Sequence, residues 1–573
     1  MPSLIYILFR RLRSPLIFLI LVYAFSMLGF VLIPGVDDQG HPYQMSFFHA
    51  FYFVSFMGTT IGFGEIPYAF TDAQRYWTLL SLYATVIAWL YSIGSILSSF
   101  QDPAFRQQLK HNSFTRKVAS IREPFYLICG YGDTGSQLAR ALAKEGILSI
   151  IIDNNQDRIN ELEVTDFPVQ PLWLCADASH SEVLESAGIS HPWCTGIISL
   201  ASDDMVNLTV AIVAQLLNPK VRLISRAETP ESEANILSFG ANEVINPFET
   251  FASHLALALH SPGLSSLFEW MTAAPGDRLS EPVFPNHGMW IICGFGKFGE
   301  ALYRHLNDEG EDVRIIESDR NKRDVPSGTV IGRATEAVTL KKAGIESAVG
   351  IIAGTENDAN NLSILMTAKE INPNMFRVAR QNEDYNHHIF GAADLDLLMQ
   401  RGRVVANKIF ALIRTPLLGD FLRIISRFNN DRANELVSRI IGVTDNDTLE
   451  LWEVIIYPDK APAICSMLDQ DYQILVNDLL KNPVNRDECM LAVPLFLKRG
   501  EGNVILPESN RILRYGDRVL MCGTLEARRN MSTISHNTNS LAYIVTGDDM
   551  PDGYIWRWLR PKRKAKPSSK NCQ

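Results

Sequence analysis

Three short runs in this sequence are suited to holding small charged species rather than to packing. Gly130-x-Gly132-x-x-Gly135 and Gly294-x-Gly296-x-x-Gly299 each follow an apolar stretch ending in Cys and open an amphipathic one. A strand, a tight glycine turn and a helix start together offer free N–H groups to phosphate. Asp153 and Glu317 each stand 23 residues after the first glycine of their run. There, at the end of a second strand, an acid takes both hydroxyls of a ribose, which favours NAD, NADH or an adenine nucleotide such as ADP over NADP. The plainer alternative is that the glycines serve only helix–strand packing. The third run, Thr59-Thr60-Ile61-Gly62-Phe63-Gly64-Glu65, carries too much glycine for a stable helix and is too short for a core strand. Its glycines allow successive carbonyls to point the same way, and a row of carbonyl dipoles replaces the water shell of a dehydrated cation. The Thr60 hydroxyl adds one more oxygen at the inner end.

The elements around the third run decide how to read it. No charged residue occurs from Ser14 to Val36 or from Tyr76 to Gln101, and each stretch exceeds the roughly 20 residues that span a bilayer as helix. A cleaved signal peptide is the alternative for the first, but its apolar core is too long and no small-x-small site follows it. Arg10, Arg11 and Arg13 precede the first span; Arg106, Lys110, Arg116, Lys117 and Arg122 follow the second, which places both ends on the cytoplasmic side. Between the spans, the aromatic-rich run from Tyr43 to Gly58 is too short to cross, so it must enter and turn back. Irregular backbone at membrane depth is tolerated only where protein buries it or where it lines a watery cavity.

With those flanks, TTIGFGE resembles the potassium-channel selectivity filter, usually written TVGYGD, and the order of elements is similar to a two-transmembrane potassium channel. The resemblance implies a filter at Thr60, Ile61, Gly62, Phe63 and Gly64, supported by Thr59 and Glu65, in a homotetramer, since one chain supplies a quarter of the ring. Ile61, Phe63 and Glu65 replace Val, Tyr and Asp. These changes keep the carbonyl row and bear on its support. Ile93 and Leu97, one helical turn apart near the cytoplasmic end of the second span, are candidates for an apolar gate, with packing against lipid or another helix as the alternative. Family members often carry a hinge glycine where this chain has Ala84, so bending at Gly94 or a smooth tilt stays open.

The two glycine runs belong to a long internal repeat. Phe125–Gly146 matches Met289–Gly310, Asp153 matches Glu317, Asp204 matches Asp358, Asn207 matches Asn361, and Arg226 matches Arg380. Candidate nucleotide contacts are Gly130, Gly132, Asp133, Thr134, Gly135, Asp153 and Asp177 in the first copy, and Gly294, Gly296, Lys297, Phe298, Gly299, Glu317 and Arg333 in the second. Arg333 stands where the first copy has Asp177, and Arg320, Lys322 and Arg323 add positive charge, which suits phosphate better than hydroxyl. Arg333 as a surface residue paired with a nearby acid is the alternative.

Together the copies resemble tandem RCK domains, regulators of potassium conductance. The expected organisation is a membrane α-helical pore domain at 1–100 (outer helix 14–36, pore helix 45–57, filter 59–65, inner helix 75–100) and a linker at 101–122. Two α/β Rossmann-like domains at 123–249 and 288–416 are separated by inter-repeat helices and a linker at 250–287 that serve dimer contact, and a small α+β C-terminal lobe at 417–535 precedes a tail at 536–573.

A net charge of −10 argues against a nucleic-acid binder, and the eight cysteines show no CxxC pair, so free buried thiols are expected. The basic tail is read as a solvated end, with anionic lipid as the sharper alternative. Acid-rich spots around Asp203-Asp204 and Asp469-Asp471 have the oxygen chemistry for Ca²⁺ but no calcium-loop spacing. A dehydrogenase needs a positioned acid–base pair beside the nicotinamide, and none is evident; His387 and His388 read as an exposed helix start. The sequence therefore points to a potassium-selective channel of the cell membrane, gated by NAD, NADH or ADP and by Ca²⁺ as a further ligand. A nucleotide-binding subunit of a potassium transporter is the competing reading, and a membrane-anchored NAD-dependent oxidoreductase a weaker one.

Overall fold

The uncharged stretches form helices α1 (Leu4–Leu32) and, after the short helix α2 (Phe47–Gly58), α3 (Asp72–Gln101). The structure, a computed structural model, describes residues 4–101, 103–273, 283–322, 325–443 and 449–547. The chain divides into Met1–Ser120 and Ile121–Gln573. Arg10, Arg11, Arg106, Arg323 and the basic tail lie outside the residues whose side chains are described.

In the first unit, two helices, at Leu12–Leu32 and Asp72–Ser98, are long and apolar enough to cross a membrane. The first ends at Leu32 rather than 36, because Pro34 and Gly35 do not continue a helix. Ser46 caps α2, its hydroxyl accepting from the His49 N–H at 3.3 Å. Phe53, Val54, Phe56 and Met57 of α2 are buried with Phe30 of α1 and with Phe70. Small residues let the helices close up: a Cβ on Gly29 would meet the Trp77 ring at 2.0 Å, and one on Gly58 would meet the Tyr23 hydroxyl at 2.4 Å. The expected linker is largely helical, as α4 (Pro103–Ala119).

In the second unit, the first repeat folds as strands β1 (Phe125–Cys129), β2 (Leu148–Asp153), β3 (Leu172–Cys175), β4 (Cys194–Ser199), β5 (Arg222–Arg226) and β6 (Glu243–Ile245). Their order is β3-β2-β1-β4-β5-β6, and all neighbours are parallel. The second repeats it: β7 (Met289–Cys293), β8 (Asp312–Glu317), β9 (Val330–Ile331), β10 (Gly350–Ala353), β11 (Phe376–Gln381) and β12 (Leu397–Gln400) in the order β9-β8-β7-β10-β11-β12. This is the doubly wound arrangement, with its ligand crevice beyond the carboxyl ends of the central strands.

Two expected boundaries are corrected. The stretch 250–287 contains most of helix α6 (Pro247–His260) and the helix Pro262–Thr272. With α5 (Asp133–Lys144), α7 (Lys297–Asp308) and α8 (Arg401–Arg414), an exchange emerges. Phe248, Phe251 and Leu255 of α6 pack on Phe298 and Leu302 of α7, whereas Val405, Ile409 and Phe410 of α8 pack with Leu138 and Leu142 of α5. Each repeat thus lends its last helix to the other sheet, so the second sheet's own helices do not run to 416. Finally, the segment from 536 is not all tail, because helix Thr538–Thr546 buries Leu541, Ile544 and Val545 in the C-terminal lobe. That lobe is α+β around an antiparallel sheet of β13 (Glu450–Ile455), β14 (Ala492–Arg499), β15 (Gly502–Ile505) and β16 (Arg518–Gly523).

Candidate ion pathway and nucleotide clefts

The run after α2 has an unusual backbone. φ is +61° at Thr60, +68° at Gly62 and +100° at Gly64, while Ile61 and Phe63 between them keep negative φ. Alternation of this kind turns successive peptide planes so that carbonyls share one side, which is the arrangement needed to replace a hydration shell. Nothing lies within 4 Å of a Cβ built on Gly62 or Gly64, so torsion rather than crowding selects glycine there. Thr59 anchors the start, its hydroxyl donating to the Ser55 carbonyl at 2.9 Å. The Phe63 ring meets Phe56 edge-on at 5.5 Å. Glu65 holds the far end: its carboxylate accepts from Arg75 Nε at 2.9 Å and from the Phe70 N–H at 2.8 Å. Residues 59–65 are otherwise exposed on the single chain, as are Ile93 and Leu97.

The glycine turns of the two sheets carry separable duties. Gly130 and Gly294 have φ of +110° and +96°. A Cβ on Gly135 or Gly299 would come within 2.0 or 2.1 Å of the carbonyl of Gly130 or Gly294, so these glycines serve helix–strand approach. The middle glycine is different: Gly296 has nothing within 4 Å, and Gly132 has only the Arg158 guanidinium at 3.6 Å. Space there is not needed for packing, and it is where a pyrophosphate would approach the backbone. Gly132 and Gly296 are the N-caps of α5 and α7 and make no side-chain cap.

The first turn opens on a cleft of about 130 Å³ that brings together Gly130, Gly132, Asp133, Thr134, Gly135, Asp153 and Asp177. Asp153 is buried and accepts from the Tyr131 N–H at 2.6 Å and the Asn155 N–H at 2.7 Å, one bond on each oxygen. A carboxylate has room for more, so its acceptor capacity is not exhausted. Three arginines that sequence reasoning did not assign to this cleft also line it: Arg158, Arg226 and Arg401. Arg226 is buried, and its Nε has no hydrogen-bond partner among the described residues. Arg401 comes from the exchanged helix α8, beyond the reach of any local motif. Burial, then Asp384, pushes the Asp133 carboxyl above its usual range.

The second turn is more committed. Glu317 accepts from the Phe295, Ser318 and Asp319 N–H groups and from Lys322 Nζ at 3.1 Å. Burial alone would raise its carboxyl, but the Asp319 and Phe295 N–H groups and Lys322 outweigh burial and hold it at about 2. Its stabilising contribution is therefore complete above the ordinary value of 4.5 and is lost as pH falls toward 2. Chemical denaturation of Glu317→Gln is expected to show a shallower loss of stability between about pH 4.5 and 3 than the unmodified chain. Arg333 occupies the Asp177 position, since the preceding Gly332 and Ala176 N–H groups donate to the Glu317 and Asp153 carbonyls alike. It is exposed and unpaired among the described residues. Lys297 reaches across to Glu228 of the first repeat at 2.9 Å.

Other matched pairs are structural. Asn207 and Asn361 donate to the Arg226 and Arg380 carbonyls, and Asp204 and Asp358 accept from the Glu228 and Asn382 N–H groups. His387 and His388 are exposed at a helix start. Among the described residues, no group of three or more His, Cys, Asp or Glu is placed to hold a metal. Asp203 caps a helix and Asp469 accepts from the Tyr515 hydroxyl, which leaves the calcium expectation without a site. Among the described residues, Cys129, Cys293, Cys465 and Cys522 are free and buried. A larger cavity of about 1180 Å³ lies among the exchanged helices, away from both glycine turns, with Glu233, His254 and Lys408 in its wall. Burial and Lys408 push His254 down to about 4.

Residues 17–102 match the ion channel domain family, and residues 126–247 and 290–400 each match the TrkA-N domain family. Potassium channel protein 1 of Methanocaldococcus jannaschii is 26% identical over 234 residues, covering 40% of this chain and 68% of the relative. Probable potassium channel protein 2 of the same organism is 26% identical over 291 residues, covering 51% and 78%. Among solved structures, the GsuK channel bound to NAD superposes with a TM-score of 0.44 at 16% identity, over 93% of this chain and 99% of that one.

Proposed function

We infer that this chain, a potassium channel protein in which an ion-channel domain precedes two TrkA-N (RCK) domains, forms a potassium-selective pore whose opening is set by nucleotide bound to the TrkA-N part. The observation that carries the pore is the sign-alternating backbone of Thr60–Gly64 at the end of a short helix between two apolar spans. Four chains close the ring of carbonyls. The bilayer surrounds the spans, and both termini and the TrkA-N domains face the cytoplasm, as the arginines and lysines beyond the spans require. Filter support falls to Thr59, Phe63 and Glu65, and the gate to Ile93 and Leu97, whose exposure on one chain agrees with a lining shared among four.

The first cleft is the stronger nucleotide site. Asp153 retains acceptors for a ribose, Gly132 leaves the backbone open, and the Arg158 guanidinium stands beside Gly132 to meet phosphate. NAD, NADH or ADP bound there shifts opening only by its difference in affinity for the open and closed rings. No catalytic residue is assigned. A transporter subunit is disfavoured because the chain carries its own ion-channel domain. The test is potassium flux from liposomes holding the purified protein, with NAD, NADH, ADP, ATP or Ca²⁺ on the side exposing the TrkA-N domains. A potassium-selective flux altered several-fold by a nucleotide is expected. Absence of flux from folded tetramers under every condition would overturn the channel reading.

A further inference from the structure

We propose that Glu228 fixes the number of phosphates the first cleft accepts, admitting a nucleoside diphosphate or dinucleotide and rejecting a nucleoside triphosphate. The inference rests on the nucleotide reading above. Asp153 marks the ribose end of the cleft and the turn from Gly130 to Gly135 takes the phosphates, so a longer phosphate chain runs on toward the wall containing Arg226 and Arg401. A third phosphate needs the charge of those two arginines. Glu228 already claims it: the carboxylate pairs with Arg226, accepts from Arg401 Nη1 at 3.4 Å and accepts from Lys297 Nζ at 2.9 Å. It holds the place in the charge balance that a terminal phosphate would take.

Two further observations point the same way. Asp203 and Asp133 stand in the same cleft, and Asp384 and Glu383 lie close enough to Asp133 to act on its charge against Arg158 and Arg401, so the cations of the cleft already face several carboxylates. A terminal phosphate would bring still more negative charge into that field. The acid is also a property of this cleft rather than of the fold. At the equivalent place in the second repeat stands Asn382, which donates to Asp358, and there Arg380 is held over the Phe248 and Phe298 rings at 5.2 and 5.8 Å instead of by a carboxylate.

Calorimetry on the full-length protein in detergent, with EDTA present, compares ADP with ATP; the heat lost in Asp153→Ala identifies the first cleft. The unmodified chain is expected to bind ADP about tenfold or more tighter than ATP. Glu228→Gln keeps the shape and removes the charge, and is expected to strengthen ATP until the two lie within about threefold while ADP changes little. Should that variant lose ADP through disturbance of the seam, Lys297→Met supplies a second reading: with one cation gone, the less balanced carboxylate widens the preference for ADP. Equal binding of ADP and ATP by the unmodified chain, an unchanged ratio in a Glu228→Gln chain that still binds ADP, or a Lys297→Met ratio that fails to widen overturns the proposal and leaves the nucleotide reading standing. No nucleotide binding to any of the chains overturns both.

Discussion

Gly62→Ala is expected to abolish potassium-selective flux while leaving the assembled protein intact. The torsion at Gly62, φ +68°, lies in the left-handed region, where an alanine costs about 1–2 kcal/mol. The new methyl group meets nothing within 4 Å, so no clash compels unfolding. The chain relieves the strain by rotating this residue, and rotation turns a carbonyl out of the row. In the proposed ring every chain repeats the change, so the discrimination of K⁺ over Na⁺ should fall by about tenfold or more. Gly94→Ala is the matched control. It too adds a methyl into open space, but within helix α3 and without a positive φ, so it should stabilise by about 1 kcal/mol and leave selectivity alone. Ion flux with paired K⁺ and Na⁺ gradients, read beside size-exclusion profiles, separates the two. Unchanged selectivity in Gly62→Ala would return 59–65 to an ordinary turn.

That contrast shows what the sequence makes legible. The run at 59–65, both glycine turns and the acids at Asp153 and Glu317 are local patterns, and each lies at the helix terminus or strand end its pattern indicates, because torsion and strand ends are set by neighbours in the chain. The exchange of α6 and α8 was hidden for the opposite reason. Both helices carry apolar faces that either sheet would cover, and only the packing of Phe251 against Phe298 and of Ile409 within the first repeat's core decides which. Arg401 followed the same rule: a residue of the second repeat entered the first cleft through a contact that no spacing encodes. Glu317 differs from Asp153. Its position was legible, but its bonding was not, since Lys322 and three backbone N–H groups already occupy its oxygens.

The difference between the two acids makes the second large prediction. Asp153→Asn keeps an oxygen for one of the Tyr131 and Asn155 N–H groups but sets its NH2 against the other, and it removes the charge and one acceptor that a ribose diol requires. Hydrogen bonds to a charged group contribute about 1.5–3 kcal/mol, so the affinity for ADP or NAD should fall roughly 10- to 100-fold. Glu317→Gln alters a carboxylate whose bonds are already internal, and the same affinities should stay within about threefold. Calorimetry on both variants, with thermal unfolding as the check on the fold, reads the comparison directly. An equal loss in both would mean that Lys322 swings aside and the clefts are equivalent. A loss confined to Glu317→Gln would move the ligand to the second repeat, next to the unpaired Arg333. A loss confined to Asp153→Asn would place the nucleotide beneath α8, where it touches both repeats at once and binding can bear on how they pack.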